Sequence, residues 1–183
     1  MKKGILTIIL FCFAALCLAQ TQPMRFMGIN MNSTITTFMS KLKGKGFVED
    51  PQHSKPNMVV MKGMFAGERV KLEVHSAAKT HMVSTVNVLF NLGTQFTYAD
   101  VQERLTSKYG KMVREVNKIK DEPVFIKYTT DYSLWHLNVD TLTNEHNAII
   151  LSKCGYQSNS PLTISYRDGK NSKVENNEIN SDF

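Results

Sequence analysis

An apolar stripe at helical spacing, followed by three runs that alternate at the period of a strand, is the pattern that most restricts this chain. Ile35, Phe38, Met39 and Leu42 recur at i, i+3, i+4 and i+7, which is one face of a helix with 3.6 residues per turn. We expect that helix over residues 34–46. Ser33 or Thr34 serves as N-cap, Lys41, Lys43 and Lys45 oppose the dipole at the far end, and Gly44 or Gly46 supplies the left-handed stop. Residues 58–65, 69–75 and 82–90 read as strands. In the middle one Val70, Leu72 and Val74 alternate with Arg69, Lys71, Glu73 and His75, so one face is apolar and the other wet.

The layout returns later in the chain. Thr97 and Asp100 form a capping-box pair ahead of Tyr98, Val101, Leu105 and Tyr109, and Gly110 closes this second helix. A constant offset of 63 residues places Thr34 on Thr97, Phe38 on Val101, Leu42 on Leu105, Leu72 and Val74 on Trp135 and Leu137, and Val86 and Val88 on Ile149 and Leu151. Further strands are expected at 124–129, 133–140, 148–154 and 162–167, with 112–120 open between strand and helix, and 24–29 as a first strand. The fold class is therefore α+β: two tandem helix-plus-three-strand units, 20–95 and 96–167, forming one largely antiparallel sheet with both helices on one face. Leu72, Val74, Val86, Val88, Trp135 and Leu137 should be buried together. The stretch 168–183, rich in Asn, Ser, Lys and Glu, is expected to be a flexible tail.

Lys2 and Lys3 precede an apolar run from Ile5 to Leu18, and Ala19 offers a small residue for cleavage, the signature of a secretory signal peptide over 1–19. The run is shorter than the roughly 20 residues needed to span a bilayer. Cys17 would be a lipid-attachment site only if bulky Leu16 were tolerated before it, so cleavage after Ala19 is the expectation. The formal charge of +6 loses both leader lysines, leaving a mild positive balance. Export and so small an excess speak against nucleic acid as a partner. Of the 3 cysteines, Cys12 and Cys17 leave with the leader, and Cys154 is then alone, so no intrachain disulfide forms. Cys154 ends an apolar run and reads as a small buried hydrophobe.

Several short phrases carry a family resemblance: Met27-Gly28-Ile29, Lys41-Leu42-Lys43-Gly44-Lys45-Gly46-Phe47, Lys62-Gly63-Met64-Phe65-Ala66-Gly67 and Lys108-Tyr109-Gly110. They resemble a set of uncharacterised exported proteins of Bacteroidetes, across most of the chain after the leader. That resemblance implies an envelope or secreted location, periplasmic or extracellular, and transfers no catalytic residue. The tandem plan is also similar, as architecture alone, to the beta-lactamase inhibitor protein fold and to small outer-membrane assembly lipoproteins. Asp140-Thr141-Leu142 resembles the O-glycosylation acceptor of exported Bacteroidetes proteins.

Motifs for chemistry are sparse. His53, His75, His81, His136 and His146 lack zinc-ligand spacing, no serine or cysteine stands in a nucleophile signature, and no cofactor motif is present. No catalytic and no metal residue is assigned. Met58, Met61 and Met64 recur every third residue, a thioether density that exported copper-handling proteins use, but on a strand Met61 points away from the other two. The first functional reading is a non-enzymatic binding protein of the bacterial envelope, with a protein or glycan as partner. A periplasmic copper-handling protein using Met and His is the second, and a hydrolase without a recognisable motif, built on carboxylates such as Glu49, Asp50, Asp131 and Asp140, the third. The binding residues under the first reading are Arg69, Lys71, His75, His136, Asn138 and Arg167, which the expected strands place on the wet face.

Overall fold

Strict alternation makes the second strand of the first unit the reference for the whole sheet. In β5 (Glu68–Ser76) Val70, Leu72 and Val74 are buried while the residues between them are exposed or half-buried. The computed structural model describes residues 24–91, 94–111, 114–122, 126–140, 145–155 and 162–180, with side chains over 24–91, 94–111, 147–152 and 162–178. The leader, Thr141 and the loop around Asn159 fall outside the described residues. So do the side chains of Trp135, His136, Leu137, Asn138, His146 and Cys154.

The described residues open with a tiny hairpin, β1 (Arg25–Phe26) and β2 (Ile29–Asn30), rather than one strand over 24–29. Met27 and Gly28, both at positive φ (50° and 79°), make the two-residue turn whose twist suits a hairpin. Phe26 stacks on Phe65 at 5.6 Å and meets Tyr166 edge-on at 5.0 Å, so the hairpin seals one end of the core.

Helix α1 (Ile35–Lys43) begins where Thr34 Oγ1 accepts from the Thr37 amide. It ends in a Schellman motif: the Phe47 amide donates to the Leu42 carbonyl, the Gly46 amide to the Lys43 carbonyl, and Gly46 takes φ +87°. The motif swings Phe47, 2 % exposed, back beside Leu42. The short strand β3 (Val48–Glu49) then starts the sheet, followed by β4 (Met58–Phe65), β5 and β6 (Val83–Phe90). Helix α2 (Tyr98–Tyr109) carries the expected capping box, with the Thr97 amide and hydroxyl both donating to Asp100; these hydrogen bonds hold the Asp100 carboxyl below the usual carboxylate range. After it come β7 (Arg114–Glu122), β8 (Ile126–Asp140), β9 (Glu145–Gly155) and β10 (Leu162–Arg167), then α3 (Gly169–Asn180). Of the segment 112–120, whose first two residues lie outside the described ones, 114–120 are strand. The two strands expected at 124–129 and 133–140 are one, β8.

All eight strands from β3 to β10 form one antiparallel sheet in the order β3-β4-β5-β6-β10-β9-β8-β7. The last strand thus inserts between two meanders. Register rows explain the core: Met61, Leu72, Val88, Ile164 and Leu151 stand opposite one another in succession, as do Val59, Val74, Val86, Tyr166 and Ile149. Most of these are buried in one cluster that also holds Phe38 and Leu42 of α1 and Val101 and Leu105 of α2. Leu72, Val74, Val86 and Val88 are fully buried together as expected, and Trp135 stands in register opposite Ile149.

The C-terminal stretch is a correction. Instead of a flexible tail, Gly169–Asn180 is helical, because Asp168 Oδ1 accepts from the Asn171 amide as an N-cap and polar side chains hook the first turn to the sheet. The Asp168 amide and Ser172 Oγ both donate to the Ser84 carbonyl (2.9 and 3.2 Å), Asn171 Nδ2 donates to the Val83 carbonyl at 2.9 Å, and the Gly169 amide donates to Asn147 Oδ1 at 3.0 Å. Farther along, Glu178 Oε2 accepts from the Lys79 amide at 3.0 Å.

Candidate functional site

The alternation that buries Val70, Leu72 and Val74 turns Arg69, Lys71, Glu73 and His75 to the opposite side of the sheet. Arg69 is exposed and the other three are half-buried. Lys71 Nζ lies 3.0 Å from Glu73 Oε1, an ion pair along the strand that is worth little at such exposure but orders both side chains. His75 Nε2 is 3.4 Å from Asn87 Nδ2 on β6.

Register carries this face across the sheet. Met58, His75, Thr85, Arg167, Ala148 and His136 occupy one row of successive partners, from β4 to β8. At about 4.8 Å between neighbouring strands, His75 and Arg167 are roughly 10 Å apart along the row, and His136 is another two strands on. Asn138 stands opposite Asn147, beyond an irregularity in the register after His136. Three of the six expected binding residues, His75, Arg167 and His136, therefore share one row, and Lys71 lies four residues from His75 on the same side of β5. Arg69 is one step farther toward the β4–β5 turn, and Asn138 is displaced by the bulge.

Helix α3, formed by the stretch expected to be a flexible tail, lies over part of this polar face. Thr85, Ile150, Ser165 and Arg167 from the sheet, with Ser172, Glu175 and Asn176 from α3, line a groove of about 290 Å³. The polar face is thereby split into this groove and an open strip on β4 and β5. Sequence reasoning missed Thr85, Glu175 and Asn176 because α3 has almost no apolar stripe; the Asp168–Asn171 spacing was its single local signal.

The strip is bordered by the loop between β3 and β4. Ser54 Oγ donates to the Asp50 carbonyl and accepts from the Val60 amide, which pins the loop to the edge of β4. Lys62 Nζ at 2.6 Å and His53 Nδ1 at 2.9 Å converge on Asp50 Oδ2. The hydrogen bond from Lys62, then that from His53, holds the Asp50 carboxyl down at about 2, against an ordinary 3.8. A carboxylate so firmly ionised is a clamp, unsuited to donating a proton. The folded value lies below the unfolded one, so the stability Asp50 contributes is complete above the ordinary carboxylate range and fades as pH falls toward 2. In urea titrations, Asp50→Asn should lower the midpoint by a constant amount from neutrality down to about pH 5, and the gap should close on further acidification. A gap independent of pH down to the acid limit would show that the carboxylate charge contributes nothing.

The methionine string is divided by the pleat: Met61 is fully buried opposite Leu72, while Met58 and Met64 stand opposite His75 and Arg69 on the other side. Among the described residues no group of three or more His, Cys, Asp or Glu side chains could hold a metal ion, and no helix is long and apolar enough to cross a membrane. No protein-family model matches the chain, and no curated protein or solved structure matches it either.

Proposed function

We propose that this chain is an exported, non-enzymatic binding protein of a bacterial envelope, in which the polar face of the sheet recognises a protein or glycan. The observation that carries the reading is the grouping of Arg69, Lys71, Glu73 and His75 on one side of β5, continued by Arg167 in the same row as His75. Both charge signs and several hydrogen-bonding groups are held there by rigid strands, as recognition surfaces require. The order β4-β5-β6, β10, β9-β8-β7 supports the companion proposal that the two meanders, each preceded by a helix, are tandem copies of one unit whose helices cover the apolar face. Export rests on the leader and on the resemblance to exported Bacteroidetes proteins.

The test is capture from the native envelope fraction by the immobilised protein, read by mass spectrometry. Charge reversal at Lys71 combined with His136→Ala should leave the circular dichroism spectrum unchanged and abolish recovery of the partner that the unmodified protein retains. Undiminished recovery by the folded double variant would overturn the assignment of the face.

A further inference from the structure

The groove beneath α3 holds two charged side chains of opposite sign, Arg167 and Glu175. Ion pairs among the described residues include Lys43–Glu49, His53–Asp50, Lys62–Asp50 and Lys71–Glu73. Arg167 and Glu175 line the same groove, yet no ion pair joins them, so their charged atoms are more than 4 Å from each other. Two opposite charges facing one cleft without neutralising each other leave room for a molecule that bridges them. The bridging molecule must present a carboxylate to the guanidinium and an ammonium to the carboxylate.

The remaining walls narrow the class. Thr85 and Ser165 place hydroxyls on the floor, Asn176 offers an amide, and Ile150 adds one apolar side chain. No aromatic ring is among the described lining residues. A volume of about 290 Å³ is at the small end of ligand clefts, enough for a compact solute and too little for an oligosaccharide.

We propose that this groove binds a zwitterionic amino compound of amino-acid or dipeptide size, Arg167 taking its carboxylate and Glu175 its ammonium group. The proposal rests on the reading of the chain as a binding protein and names a ligand class for one part of its polar face. Because Arg167 is exposed and the cleft is open, affinity should be modest, with a dissociation constant on the order of 0.1–1 mM.

The experiment is a titration of the isotopically labelled exported protein, followed through backbone amide resonances, with L-alanine and with L-alanyl-L-alanine. N-acetyl-L-alanine, which lacks the ammonium, and L-alanine amide, which lacks the carboxylate, are the controls. Saturable shifts at Thr85, Ser165, Arg167 and α3 are expected with a zwitterion, and binding at least about tenfold weaker with either blocked compound. The stronger of the two zwitterions tells a free amino acid from a peptide. Arg167→Met and Glu175→Gln should each remove the response, whereas Lys45→Met, at an exposed position just past the end of α1 and far along the chain from the groove residues, should not; dispersed spectra certify that the variants are folded. Equal response to the blocked compounds, full response in both groove variants, or no saturable shift up to about 50 mM would overturn the proposal. Loss of envelope capture in the Lys71/His136 variant with no zwitterion response would defeat the groove alone, and a zwitterion response with undiminished capture would defeat the broader face alone.

Discussion

Replacing Phe38 with alanine should lower the unfolding free energy by about 3–5 kcal/mol, the largest effect expected of any single truncation on α1. Phe38 is fully buried at the centre of the helix stripe, in the cluster that contains Leu42, Leu72, Val74, Val86 and Val88. Truncation removes the transfer free energy of the ring and leaves a void that the surrounding strands, held in register on both sides, cannot close. For a chain of this size that loss corresponds to a fall in Tm of at least about 6 °C. Thr36→Ala on the exposed side of the same helix should change stability by less than about 0.5 kcal/mol. Thermal unfolding of the two variants decides the matter: equal midpoints would mean that α1 does not pack through Phe38.

Gly63→Ala should destabilise as well, although alanine in a strand ordinarily gains stability by restricting the unfolded chain. A Cβ built on Gly63 would lie 2.5, 2.7 and 2.8 Å from Phe47 ring carbons, well inside van der Waals contact. The ring cannot retreat without cost, because Phe47 is almost fully buried and its amide is tied to the Leu42 carbonyl by the helix stop. Overpacking of this kind costs about 1–3 kcal/mol, more than the few tenths to one that backbone restriction returns. Phe47→Leu should be less harmful, or even favourable, in the Gly63→Ala background, giving a coupling energy of about 0.5–3 kcal/mol in a double-mutant cycle. A stabilised Gly63→Ala protein, or strictly additive effects, would refute the seating of the Phe47 ring on Gly63.

Both effects depend on features that were legible only in part. The stripe from Ile35 to Leu42, its termination near Gly46, the alternation of β5 and the capping box at Thr97 are local: each needs only residues within a turn or two of helix or along a single strand. The contact of Phe47 with Gly63 is not. A glycine inside Lys62-Gly63-Met64 reads as a turn or a weak point in a strand, and only the folded chain reveals that an aromatic ring occupies the space of the missing side chain. The hairpin at Met27-Gly28 and the continuity of β8 were also missed, since apolar content alone does not distinguish one strand from two.

The amino-acid pattern by itself determined that this is an α+β chain with an antiparallel sheet, which β5 residues face the core, and that Arg69, Lys71, Glu73 and His75 share one side. Periodicity suffices for that, because helix and strand geometry fix where successive side chains point. Only the tertiary structure decided that β10 inserts between β6 and β9, which brings Arg167 into the row of His75, and that α3 lies over that row to make a groove. Strand order is a matter of non-local pairing, and α3 is held by side-chain hydrogen bonds to the Val83 and Ser84 carbonyls, more than eighty residues away along the chain. A helix stabilised through such distant partners, with hardly an apolar stripe of its own, leaves almost no periodic trace in the sequence.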